Sequence, residues 1–66
     1  MSAMLNLIGA LPDAAAILAV PGAHLHLYGK APRPGRKTGH VTVRGDDPLV
    51  LRERVATLER LIEAAG

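Results

Sequence analysis

The sequence predicts a small α+β domain of order β-α-β-β-α, in which an antiparallel sheet is covered by a C-terminal amphipathic helix. Two segments alternate apolar and polar residues with the period of a β-strand, and a stretch rich in glycine and proline separates them. The last third of the chain instead repeats apolar residues at helical spacing. A chain of 66 residues is expected to form a single domain over residues 1–66.

The first predicted elements are a strand over residues 4–9 and a short helix over residues 12–19. The strand is an apolar run that ends in glycine. Pro12 suits the first turn of a helix, and the alanines that follow are the best helix formers. The single serine, Ser2, lies in a terminus that we expect to be disordered, so the sequence offers no serine-based catalytic triad.

The two alternating segments predict an antiparallel hairpin. In residues 23–28 every second residue, including Leu27, is expected to face the core. In residues 38–43 the expected core residues are Val41 and Val43. The side chains expected on the outer face are His24, His26 and Tyr28 on the first strand, and His40 and Thr42 on the second.

The final helix has the clearest start signal. Asp47 is a good N-cap and Pro48 fits the first helical position. Apolar residues then recur at spacings of three and four, which predicts that one side of the helix packs onto the sheet. The predicted stripe consists of Leu51, Val55, Leu58, Leu61, Ile62 and Ala65.

Composition and charge limit the classes of function. The chain has no cysteine, which excludes disulfides and thiolate metal sites, and its formal net charge is only +2. Four of the eight basic residues fall between Lys30 and Lys37, without an intervening acid. Such a local cluster indicates a phosphate or carboxylate ligand and no DNA partner, because a long nucleic acid needs a wider basic face. No apolar run is long enough for a membrane span or has the flanks of a signal peptide, so we expect a cytoplasmic location.

The outward histidines leave several possibilities open. His24, His26 and His40 could bind zinc together, but the sequence supplies no nearby acid to orient them. We favour polar residues of an interface or substrate pocket, with His26, Tyr28 and His40 nearest the ligand. From the residues alone, the basic stretch between the strands is either a solvated turn or a site for a monophosphate.

A gapped motif spans this stretch and consists of Tyr28-Gly29-Lys30, Pro34-Gly35-Arg36-Lys37 and Gly39-His40, preceded by His26. It resembles the terminal signature of the N5-carboxyaminoimidazole ribonucleotide synthetases, the ATPase subunits of phosphoribosylaminoimidazole carboxylase in the ATP-grasp superfamily. The resemblance covers about residues 4–44, and the last helix agrees with it in position and character. It implies that the chain is the C-terminal domain of such an enzyme, without the N-terminal and ATP-grasp domains.

The resemblance implies a role in purine biosynthesis. The full enzyme uses ATP and bicarbonate to carboxylate aminoimidazole ribonucleotide, with ATP and magnesium on the central ATP-grasp domain. This chain would therefore carry no cofactor, metal or catalytic residue and would be inactive alone. Its expected partners are the ATP-grasp domain and aminoimidazole ribonucleotide, in an enzyme that is a homodimer.

The resemblance also implies which residues hold the substrate's 5′-phosphate. Lys30 and Arg36 are the first candidates, and Arg33 and Lys37 are the second. Thr38 departs from the family, where a larger apolar residue is common, and we expect the change to be tolerated. Two alternatives remain at this point: a free-standing basic module that binds a nucleotide or RNA phosphate, and a loop that only braces the neighbouring domain.

Overall fold

The computed structural model describes residues 1–65. Along the chain the elements are β1 Ser2–Ile8, α1 Ala14–Leu18, β2 Ala23–Leu27, β3 Lys37–Arg44 and α2 Pro48–Ala65. The three strands form one antiparallel sheet in the order β1-β3-β2. The predicted α+β class and element order are confirmed.

The central strand is β3, and both neighbours run antiparallel to it. β2 precedes β3 in the chain and pairs with it from Ala23 opposite Val43 to Leu27 opposite Gly39, so the predicted hairpin is confirmed. β1 pairs with the other edge of β3, and the segment containing α1 connects β1 to β2. The start of β3, where the β2–β3 connection ends, therefore lies beside the end of β1.

The first strand begins earlier than predicted. Ser2 lies opposite Arg44 at the start of β1, and the N–H of Gly45 donates to the carbonyl of Met1 at 3.1 Å. The expectation of a disordered start was therefore wrong, because β3 extends far enough to offer the first residues a pairing partner. The strand ends at Ile8, one residue before the glycine that was expected to close it.

The first helix is shorter than predicted because Asp13 acts as its N-cap. The Asp13 carboxylate accepts a hydrogen bond from the N–H of Ala15 at 3.1 Å, so the helix begins at Ala14 and Pro12 precedes the cap. Ile17, which is fully buried, attaches this helix to the core.

The second helix covers the core face of the sheet as predicted. The Asp47 carboxylate accepts hydrogen bonds from the N–H groups of Leu49 at 2.9 Å and Val50 at 3.0 Å, which confirms the predicted N-cap. Leu58 is fully buried, and Leu51, Val55, Leu61 and Ile62 pack around the same core. The buried core consists of Leu7, Ile17, Val20, Ala23, Val41, Val43 and Leu58.

The opposite face of the sheet carries exposed side chains of mixed character. Met4 is 58% exposed and Ile8 52% exposed, and His24 and His26 are exposed on β2. Leu27 lies on the core face as expected, but at the last pair of β2 it is 53% exposed, because Gly39 opposite it has no side chain to cover it. Neither helix of the described residues is long and apolar enough to cross a membrane.

Candidate functional site

The basic loop, residues 28–36, joins β2 to β3. The ladder continues for one pair beyond β2, because the N–H of Tyr28 donates to the carbonyl of Thr38 at 3.0 Å. Gly29 then adopts a φ of +73°, a conformation that residues with a Cβ rarely adopt, and turns the chain away from the sheet. The loop therefore leaves the sheet at Gly29.

The far end of the basic loop is a tight turn. The N–H of Arg36 donates to the carbonyl of Arg33 at 3.0 Å, with Pro34 and Gly35 between them. Gly35 has a φ of +76°, as the third residue of a type II turn requires, and proline is favoured at the second position. The motif's Pro-Gly pair therefore has a direct structural role.

The end of β1 holds this turn in place. The N–H of Gly9 donates to the carbonyl of Arg36 at 2.7 Å, just beyond a register shift between Leu7 and Ile8. Beside it, the buried Thr38 hydroxyl donates to the carbonyl of Leu7 at 3.1 Å. These bonds fix the Arg36 end of the loop to the edge of the sheet.

The four predicted phosphate ligands all lie in the basic loop or at the first residue of β3. Lys30, Arg33 and Lys37 are exposed, and Arg36 is half-buried. One guanidinium nitrogen of Arg36 donates to the carbonyl of Ala31 at 3.2 Å, which orients this side chain. A guanidinium has five N–H donors, so the rest of the fork remains available for an anion.

A cleft of about 430 Å³ separates the loop from the end of β1. Ile8, Gly9 and Ala10 form one wall, and residues 32–35 form the other, with Arg33 as its charged member. The cleft gives a small anion a concave surface beside a basic side chain. Sequence reasoning did not find this cleft, because β1 is distant from the loop in sequence.

The three predicted pocket residues form one cluster at the start of the loop. His26 lies opposite His40 in the ladder, and their rings stack with centroids 4.5 Å apart and an interplanar angle of 17°. The Tyr28 hydroxyl and His40 Nδ1 are 2.8 Å apart and form a hydrogen bond, and the two ring centroids are 5.7 Å apart. The structure therefore brings His26, Tyr28 and His40 together, and we call them the aromatic cluster.

The zinc alternative gains no support from the described residues. His24 lies on the same face of the sheet but pairs with Thr42, and it is two residues along β2 from His26. Within residues 1–65, no group of three His, Asp or Glu side chains is arranged to share a metal ion.

Gly39 is the residue whose importance sequence reasoning missed. A Cβ at this position would collide with the backbone carbonyl oxygen of His26 and lie 3.2 Å from the Cα of Leu27. The close approach of β2 to β3 beside the aromatic cluster therefore depends on glycine. An isolated glycine inside a strand pattern is a known signal of such an approach and could have indicated it.

The comparisons with known proteins agree with this architecture. The family described as phosphoribosylaminoimidazole carboxylase C-terminal domain matches residues 2–54. The chain belongs to this family. The N5-carboxyaminoimidazole ribonucleotide synthase of Pseudomonas aeruginosa is 56% identical over 63 residues, which cover 96% of this chain and 18% of that protein. The resemblance predicted from the motif is thereby confirmed.

Solved structures show that the similarity extends to the three-dimensional fold. The N5-carboxyaminoimidazole ribonucleotide synthetase of Thermus thermophilus matches with a TM-score of 0.87 and 60% identity, over 91% of this chain and 17% of that one. The synthase of Aspergillus clavatus, solved with ADP and 5-aminoimidazole ribonucleotide, matches with a TM-score of 0.81 and 38% identity. That match covers 96% of this chain and 19% of the Aspergillus chain, so the domain corresponds to less than a fifth of these relatives.

Proposed function

We propose that this domain holds the 5′-phosphate of aminoimidazole ribonucleotide through its basic loop, as part of a synthetase that carboxylates this substrate. The observation that supports the proposal is the placement of four basic residues on the basic loop and at the first residue of β3, with the loop anchored to two strands. The domain supplies substrate contacts and packing area, and its reaction partner is an ATP-grasp domain. The basic loop contributes binding energy remote from the reacting amine, which positions the substrate.

The geometry of the basic loop supports an anion as its ligand. Arg36 is oriented by its bond to the carbonyl of Ala31, so it presents the rest of its fork without first losing all its rotamer freedom. Lys30 and Lys37 are exposed and add point charges. Positive φ values at Gly29 and Gly35 bend the backbone on both sides of the loop.

Family membership favours this function over a free-standing module that binds RNA. Modules for single-stranded RNA usually stack several bases on aromatic side chains, whereas Tyr28 is the single Phe, Tyr or Trp residue of this sequence. The bracing alternative assigns the same loop to contact with a neighbouring domain. Substitution of the basic residues distinguishes this bracing role from substrate binding.

The test uses a chimera, in which residues 2–66 replace the last domain of the Thermus thermophilus enzyme. The assay measures phosphate release from ATP that depends on both bicarbonate and aminoimidazole ribonucleotide. Lys30→Ala and Arg36→Ala each remove a charged donor, and a hydrogen bond to a charged group contributes about 1.5–3 kcal/mol. Each substitution is therefore expected to raise the KM for the ribonucleotide about ten- to hundredfold, with a smaller change in kcat.

The matched control is Arg52→Ala, which removes one positive charge from the exposed surface of α2. It should leave the KM unchanged, because a distant exposed charge contributes little at ordinary salt. An active chimera whose KM is unaffected by both loop substitutions would refute the proposal. A lowered melting temperature with an unchanged KM would instead support bracing.

Several features of the full enzyme rest on the resemblance and belong to the same proposal. These are the use of ATP and magnesium on the ATP-grasp domain, a homodimeric assembly and a cytoplasmic location. The proposed role of this domain is confined to substrate contacts and packing, and includes no step on the metal.

A further inference from the structure

We infer that His40 is a positioning residue for the basic loop: through the Tyr28 hydroxyl it fixes the end of the loop that carries Lys30. This inference rests on the proposed function, because a fixed Lys30 matters only if the loop binds the phosphate. The inferred role of His40 is exerted through its hydrogen bond to Tyr28 and requires no contact with the phosphate.

The two ends of the basic loop are held in different ways. At the Arg36 end, backbone hydrogen bonds from Gly9 and to Arg33 fix the main chain. At the other end, the last backbone bond to the ladder is the one from Tyr28 to Thr38, and Gly29 follows at once. A Cβ at Gly29 would meet nothing within 4 Å, so no neighbouring group packs against this side of Gly29.

The side chain of Tyr28 supplies the missing constraint. Its hydroxyl lies 2.8 Å from His40 Nδ1, so the side chain that precedes Gly29 is tied to the central strand. His40 is itself well fixed, because β3 is paired on both sides at this position, with Asn6 on β1 and His26 on β2. The stacked His26 ring restricts rotation of the His40 ring further.

The alternative is that Tyr28 and His40 only add packing to the domain. Tyr28 is 42% exposed, and its ring lies on the sheet face opposite the buried core. Loss of its hydroxyl should therefore change stability little. Under the positioning role, by contrast, the same loss lets the Gly29 turn move and weakens substrate binding through Lys30.

The experiment places single substitutions in the chimera described above. Tyr28→Phe removes only the hydroxyl, and His40→Leu removes its hydrogen-bond partner while keeping a side chain of similar bulk. Both are expected to raise the KM for aminoimidazole ribonucleotide about two- to tenfold, the range that one ordinary hydrogen bond supports, with kcat unchanged. His40→Asn keeps a polar atom near the position of Nδ1, so its KM should lie closer to that of the unsubstituted chimera.

Two controls separate positioning from a structural effect. His24→Ala removes an exposed imidazole from the same face outside the cluster and should leave the KM unchanged. The riboside that lacks the 5′-phosphate should show the same KM with and without the Tyr28→Phe substitution, because the loop has no phosphate to hold.

The outcomes distinguish this inference from the proposed function. If Lys30→Ala raises the KM but Tyr28→Phe and His40→Leu do not, the positioning role is wrong and the phosphate site stands. If Lys30→Ala also leaves the KM unchanged, the proposed function fails. If the Tyr28→Phe variant of the 66-residue chain shows unchanged amide order parameters at Lys30 by NMR relaxation, the positioning role is likewise overturned.

Discussion

Gly39→Ala is the substitution to which the fold is expected to be most sensitive beside the candidate site. Its new Cβ would overlap the carbonyl oxygen of His26 and lie 3.3 Å from the carbonyl carbon of that residue. These are backbone atoms in a paired strand, so β2 must move away from β3 to relieve the overlap. The strain of forcing a group into a packed position costs about 1–3 kcal/mol, and each ladder hydrogen bond lost adds about 1 kcal/mol.

The expected total loss is therefore roughly 2–4 kcal/mol of unfolding free energy. For a domain of this size, a loss of 1 kcal/mol lowers the melting temperature by about 4–8 °C, so a decrease of at least about 8 °C is expected. Circular dichroism on heating the 66-residue chain measures the decrease. Gly35→Ala is the matched control: its φ of +76° strains alanine, but nothing lies within 4 Å of its Cβ. A Gly39→Ala melting temperature equal to that of the control would refute the steric argument.

Two further predictions concern the caps and the exposed sheet face. Asp47→Ala removes the acceptor for two helix N–H groups and should lower the free energy of unfolding by about 1 kcal/mol, measured by urea denaturation. Asp46→Ala is the control, and equal urea midpoints for the two variants would contradict the capping role of Asp47. The isolated chain should self-associate through the sheet face that carries the exposed side chains of Met4 and Ile8. Sedimentation that depends on protein concentration would detect this association, and Met4→Lys should reduce it. A monomer with a cooperative melt above about 70 °C would contradict this expectation.

Local patterns were enough to predict most of the fold. Alternation around Val41 and Val43 identified the central strand, and helical spacing identified the side of α2 that buries Leu58. The side-chain chemistry of Asp47 located the start of α2 to the residue. These features depend on residues that are neighbours in the chain, so they can be predicted from the sequence alone.

The errors arose where pairing partners distant in sequence decide the outcome. Ser2 is ordered because Arg44 lies opposite it, and Leu27 is exposed because Gly39 lies opposite it. Thr38 is buried and bonds to the carbonyl of Leu7, thirty-one residues away in the chain. None of these contacts follows from periodicity, since each requires the register of β3 with both neighbouring strands.

The basic residues of the candidate site were proposed from the sequence, but the hydrogen bonds that anchor the loop were not. The basic cluster and the motif pointed to Lys30, Arg33, Arg36 and Lys37, and the structure places them on the basic loop and at the first residue of β3. The bond from Gly9 to Arg36 could not be predicted, because it depends on the register shift at the end of β1. Whether these side chains bind phosphate stays a prediction.

Phosphate binding by the basic loop is tested most sharply by combining loss of the loop's charges with loss of the substrate's phosphate. The chimera and its Lys30→Ala/Arg36→Ala double variant are each assayed with aminoimidazole ribonucleotide and with the riboside that lacks the phosphate. If the basic loop holds the phosphate, the double substitution raises the KM for the ribonucleotide at least about tenfold and leaves the KM for the riboside unchanged. An equal rise for both substrates would contradict the account, because the loop would then act on the fold or on another part of the substrate.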